Sequence, residues 1–135
     1  MNFLVDVNVI SEVTKPEPSA RVVGWLRAQE AKLVLDPIIL GEIRLGILLL
    51  PKGQRQRALE SWFSGMVGTL VCVPWDANTA CRWAALLAVL RKRGQSMPLK
   101  DSMIAATALT HNLTVATRNV RDFNAAGVKV VNPFE

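Results

Sequence analysis

Between Leu99 and Phe123 the chain reads LKDSMIAATALTHNLTVATRNVRDF. Asp101 to His111 contains no helix breaker. Met103, Ile104, Ala105, Ala106, Ala108 and Leu109 leave almost no polar face, which predicts a buried helix. Asn112 is suited to the left-handed turn that ends a helix, and Leu113 to Thr117 then has the pattern of a short strand. The helix nonetheless opens on a carboxylate, and the strand runs into Asn119 and Asp122. A buried helix–strand unit with acids at both open ends suggests a site as well as a core. Taken singly, Asp101 is explained by the free N–H groups and dipole of a helix start, and Asp122 by a loop. Acids converging from elsewhere would change that reading.

Taken in order, the chain alternates short apolar strands with helices. Asn2 to Val5 is an apolar run ending at Asp6, and Asn8 is placed to cap a short helix over residues 9–14 before Pro16 and Pro18. Ser19 caps a second helix with Val22, Trp25 and Leu26 inward. Leu33 to Leu35 is a strand, and Asp36-Pro37 opens a third helix reaching about Leu50. Leu59, Trp62, Phe63 and Met66 mark a fourth helix. Leu70 to Val73 is a further strand, and Asp76 caps a long helix with Ala80, Trp83, Leu87 and Leu90 inward. Gly94 ends that helix, and Val128 to Val131 is the last strand. The pattern predicts one domain over residues 1–135, with a parallel sheet covered on both faces. Ligands of such folds gather beyond the carboxyl ends of the strands, which is where Asp6, Asn119 and Asp122 fall.

Glu42 is the decisive residue. Ile39, Glu42, Gly46 and Leu49 share one stripe of the third helix, and a carboxylate on an apolar stripe is costly to bury uncompensated. The competing reading puts Glu42 at the margin, paired with an arginine. Gly46 leaves either room for a ligand or a close helix contact. Asp6, Glu42 and Asp101, with Asp122 as a fourth, suit a hard divalent cation such as Mg2+, which takes few protein oxygens and keeps several waters. Such an ion can activate water and offset charge on a phosphodiester. With one histidine and two separated cysteines, zinc or Cys–His chemistry has little support. Cys72 and Cys81 are expected to be reduced and buried.

Four blocks, LVDVNVISE at the start, GEIRLGI around Glu42, DSMIAATA from Asp101 and TRNVRDF from Thr117, together resemble the PIN-domain ribonucleases, specifically the VapC toxins of bacterial toxin–antitoxin pairs. The resemblance covers nearly the whole chain. It implies a three-layer α/β/α sandwich with a central parallel sheet and an endoribonuclease site dependent on Mg2+ or Mn2+. Asp6 and Asp101 look like its principal metal ligands. Glu42 resembles the third catalytic acid, and the fourth position falls to Asp122 alone or is shared with Asn119. The family usually carries Thr where Val7 stands, so one hydroxyl near Asp6 is missing; Thr117 offers another. Also implied are an RNA substrate, neutralisation by a VapB-type antitoxin, a homodimer, a hetero-oligomer with the antitoxin and a cytoplasmic location.

Composition agrees with that expectation. Sixteen Lys and Arg against eleven Asp and Glu give a net charge of +5, which favours a polyanionic partner. Arg44, Arg118 and Arg121 lie nearest the motifs as possible grips on RNA. No apolar run reaches membrane-spanning length, and the acid at position 6 argues against a secretory leader. Two other classes compete. One is a catalytically weak RNA- or protein-binding module that keeps the fold, favoured only by Val7. The other is a phosphoacceptor domain, disfavoured because Pro74-Trp75 follows the central run where an acid is needed.

Overall fold

The computed structural model describes residues 2–135. Five parallel strands, β1 (Phe3–Val5), β2 (Leu33–Leu35), β3 (Val71–Cys72), β4 (Thr114–Ala116) and β5 (Val130–Val131), form one sheet in the order β3-β2-β1-β4-β5. The register sets Phe3 beside both Leu33 and Thr114, and Val5 beside Ala116. Parallel strands need crossovers. These are supplied by α1 (Val7–Ile10), α2 (Ala20–Ala28), α3 (Pro37–Leu48), α4 (Gln54–Thr69), α5 (Ala77–Lys92), α6 (Leu99–His111) and α7 (Val120–Phe123). Every residue of β2 and β4 is buried, as a sheet covered on both faces requires. The fold is the expected three-layer α/β/α sandwich. Among the described residues no helix is long and apolar enough to cross a membrane.

The strand order reverses between β1 and β4, so the segments leaving those two neighbours diverge and open a crevice at their carboxyl ends. Asp6 lies at the end of β1 and Thr117 at the end of β4, and the Asp6 N–H donates to the Ala116 carbonyl at 2.9 Å. The functional candidates therefore flank the switch point of the sheet.

The helix containing Asp101 begins at Leu99 and ends on Asn112 in the left-handed conformation, φ 53° and ψ 51°. Its small residues Ala105, Ala106 and Ala108 are buried and let the helix lie close to its neighbours. Two indoles fix its first turns. Trp83 Nε1 donates to Ser102 Oγ at 2.9 Å and Trp75 Nε1 donates to the Met103 carbonyl at 3.1 Å. Asp101 is thus held on a stiff helix start, not on a loop.

Several local expectations need correction. The short first helix is capped by Asp6 and not by Asn8. Asp6 Oδ1 accepts the Val7 N–H at 2.8 Å, so the helix starts two residues early and continues as a 3-10 turn over Ser11–Thr14. Cys72 and Cys81 are free thiols but exposed, not buried, because β3 is an edge strand and Cys81 lies on the outer side of α5. On α3 the buried stripe is Ile39, Ile43 and Ile47, while Leu49 is 75% exposed and Leu45 and Leu48 are 55% exposed. Glu42 therefore sits at the margin of the buried face, not on an enclosed apolar stripe. Glu12, unremarked in the sequence, is buried because its Oε2 accepts the Ser19 N–H at 2.8 Å and Lys15 Nζ lies 2.9 Å from Oε1. Those two donors hold its carboxyl below the usual range.

Candidate active site

The switch-point crevice is built around Asp6, a carboxylate left only 4% exposed. Its Oδ1 caps α1, which leaves Oδ2 to other donors. Thr117 Oγ1 donates to Oδ2 at 2.7 Å and Asn8 Nδ2 donates to the same oxygen at 3.2 Å. Thr117 also accepts the Asn119 N–H at 3.0 Å, which shapes the turn after β4. The hydroxyl missing at Val7 is therefore replaced by one from across the sheet. Such partners fix the orientation of a carboxylate and are part of any ligating site.

Asp101 enters from the first turn of α6. Burial raises its carboxyl, and the nearby negative charges of Asp6, Asp122 and Glu42 raise it further, to about 6. Burial is the larger cause; the smaller part of the shift reflects Asp6 after β1, Glu42 of α3 and Asp122 of α7 within electrostatic reach, since like charges disfavour one another's ionisation. Asp122 stands in the first turn of α7, near enough for its charge to raise the Asp101 carboxyl. Asn119, the alternative fourth position, is the residue preceding that helix and contributes its backbone N–H to Thr117, not a side-chain contact to the acids.

Glu42 completes the group from α3, and its partner is not the arginine considered above. Lys100 Nζ, from the residue preceding Asp101, lies 3.1 Å from Glu42 Oε2. Lys100 was not legible as a participant, since nothing local in the sequence signals a contact between residues 42 and 100. Gly46, one turn beyond Glu42, has no atom within 4 Å of where a Cβ would sit. It borders an apolar groove of about 200 Å3 that includes Val7, Ile43, Leu59 and Trp62. Among the described residues no neighbouring helix packs against that position. Arg44 is committed elsewhere, paired with Glu60 and lying 5.8 Å over Phe63.

A second buried acid, Asp36, does more than cap α3. Asp36 is fully buried, accepting the Ile39 N–H at 2.8 Å and the Thr107 hydroxyl at 2.7 Å. Burial pushes its carboxyl up, against the opposing pull of those hydrogen bonds. The bond ties the start of α3, which carries Glu42, to α6, which carries Asp101. It positions the site from beneath.

Among the described residues no three acidic, histidine or cysteine side chains converge tightly enough to ligate one ion together. One or two carboxylates with waters suffice for Mg2+, and an oxygen-only donor set fits that ion and not zinc.

The parallel five-stranded sheet carries Asp6 at its switch point, with Asp101 in electrostatic reach of Asp6, Asp122 and Glu42. The description "PIN domain" matches residues 3–129, and the chain belongs to that family. Toxin FitB of Neisseria gonorrhoeae is 38% identical, with 98% of each chain covered. VapC ribonuclease Y4jK of Sinorhizobium fredii is 35% identical over 98% of each. The crystal structure of FitAcB from Neisseria gonorrhoeae superposes with a TM-score of 0.89 at 36% identity, over 98% of this chain and 99% of that one. Within the PIN domains the chain is a toxin of the VapC/FitB type, from the type II toxin–antitoxin class.

Proposed function

We propose that this chain is a metal-dependent endoribonuclease that hydrolyses RNA phosphodiester bonds, inhibits translation and is held inactive by a cognate antitoxin. The observation that carries the reading is Asp101, whose carboxyl is raised first by burial and then by the charges of Asp6, Asp122 and Glu42, delivered from three other elements. Crowding of that kind is unfavourable in the absence of a cation, and full-length relatives named as a VapC ribonuclease and a FitB toxin agree with a nuclease.

Asp6 and Asp101 are the residues assigned to hold Mg2+, with Mn2+ as a substitute. The bound ion supplies a lowered pKa for water and charge neutralisation at phosphorus. Thr117 and Asn8 fix the orientation of Asp6 through Oδ2. Glu42 orients the attacking water, and Asp122, more than Asn119, fills the fourth position because its charge acts on Asp101. Lys100 holds Glu42 in place before substrate arrives.

The antitoxin is proposed to insert an arginine between Asp6 and Asp101. A guanidinium stays charged and bridges two carboxylates through its planar fork. The apolar groove that begins beside Glu42 gives the flanking segment of such a partner a place to lie. Homodimerisation in the cytoplasm is part of the same reading.

The test incubates purified protein with total RNA, with Mg2+ and with EDTA, then repeats it with the antitoxin across a Mg2+ titration. Cleavage restricted to the Mg2+ arm is expected, with inhibition partly overcome as metal rises. Equal cleavage in EDTA would sink the metal assignment. Inhibition indifferent to metal and to every antitoxin arginine would sink the arginine mechanism.

A further inference from the structure

Asp122 also lines a cavity of about 380 Å3, together with Arg118, Asn119, Arg121, Asn132 and Glu135. The Arg118 guanidinium lies 3.6 Å over the Phe134 ring. Its backbone N–H donates to Asn8 Oδ1 at 3.0 Å, and Asn8 Nδ2 donates to Asp6 Oδ2. Two hydrogen bonds through one side chain thus tie the position of Arg118 to that of Asp6. Phe134 is held in turn, its N–H donating to Asn132 Oδ1 at 3.0 Å. Among the described residues neither Arg118 nor Arg121 pairs with a carboxylate, whereas Arg44 is spent on Glu60.

Resting on the nuclease reading, we propose that Arg118, stacked on Phe134, is a platform for one nucleobase of the RNA strand next to the bond that is cut. A guanidinium plane is a surface on which unpaired bases stack, and Phe134 prevents it from rotating away. The rest of the lining favours a base over a phosphate. Asp122 and Glu135 repel an anion, while a carboxylate and the amides of Asn119 and Asn132 offer acceptors and donors to the edge of a base. The cavity is within the ~300–1,000 Å3 range of small-ligand sites.

The test uses the full-length protein in EDTA, so that binding is read without turnover. Anisotropy of a labelled single-stranded RNA is measured for the parent, Arg118→Ala, Arg118→Lys and Phe134→Leu, with folding checked by circular dichroism. The RNA carries the cleavage position mapped with the parent enzyme. Arg118→Ala is expected to weaken binding about tenfold. Arg118→Lys, which keeps the charge but has no plane, is expected to weaken it nearly as much, and Phe134→Leu by a few-fold. An abasic residue beside the cleavage position is expected to abolish the difference between parent and Arg118→Ala. Parental affinity in Arg118→Ala overturns the proposal. Parental affinity in Arg118→Lys overturns it too, leaving a charge contact only. If digestion of total RNA with Mg2+ yields no cleavage position to map, the nuclease reading itself is overturned, a result distinct from both.

Discussion

At Asp101 a single carboxyl carries the electrostatic record of the whole site. Its folded value of about 6 lies above the usual carboxylate range, so the folded protein binds this proton more tightly than the unfolded chain does. The stabilisation from that proton is complete below about pH 4 and is lost as pH rises through 6. The metal-free protein should therefore lose stability across that window. Asp101→Asn should remove the loss and gain on the order of 1 kcal/mol at pH 7.5, after discounting for solvent screening of a half-buried group. Thermal melts in EDTA from pH 4 to 8 check this; a variant no more stable than its parent at pH 7.5 contradicts it. Thr117 permits a second prediction. It is fully buried and satisfies Asp6, Asn8 and the Asn119 N–H at once. Thr117→Val should cost ~1–3 kcal/mol, because the buried partners lose their hydrogen bonds. It should cost on the order of 10–100-fold in Mg2+-dependent cleavage, with Thr117→Ser restoring most of both.

At the scale of elements, α3 and α6 form the frame, and the Asp36–Thr107 hydrogen bond is the bolt between them. Thr107→Val leaves a buried carboxyl with one partner fewer and should lower stability by about 1–2 kcal/mol. Asp36→Asn keeps hydrogen-bonding capacity without the charge that burial penalises and should be nearly neutral at pH 7.5. Denaturant unfolding of both variants checks the pair, and the reverse ranking contradicts it. This frame was only half legible in the sequence. The helices announced themselves through apolar spacing and caps at Ser19, Asp36 and Asp76, because those signals are local. The Asp101 helix and its Asn112 stop were legible for the same reason. Contacts set by tertiary approach were not: Lys100 with Glu42, Thr107 with Asp36, and Arg118 with Phe134 lie too far apart for any periodicity to register. Asn8 was misread as a cap because it follows a polar spacing rule. Asp6, one residue from the Val7 N–H, took the cap. The cysteines were expected inside because thiols pack well there, yet β3 is an edge and leaves Cys72 in solvent.

At the scale of the whole molecule, a basic chain carries four candidate site acids. The net charge of +5 already includes those acids, so the rest of the chain is more positive still. Single-stranded RNA should accordingly bind with a steep salt dependence, about −0.7 in log–log slope for each phosphate contacted. In EDTA, Asp101→Asn should bind at least as tightly as the parent, since it removes repulsion and no grip. A clear loss of affinity in that folded variant contradicts the separation of grip from chemistry. Grip and chemistry meet in one experiment. The rate of RNA cleavage is measured against Mg2+ concentration for the parent and for Asp101→Asn, whose side chain is nearly isosteric. The parent is predicted to rise from no detectable cleavage in EDTA to a plateau, while the variant stays at least about 100-fold slower at every concentration, as expected when an assembled metal centre loses a ligand charge. Cleavage by Asp101→Asn at the parental rate under saturating Mg2+ would contradict the account.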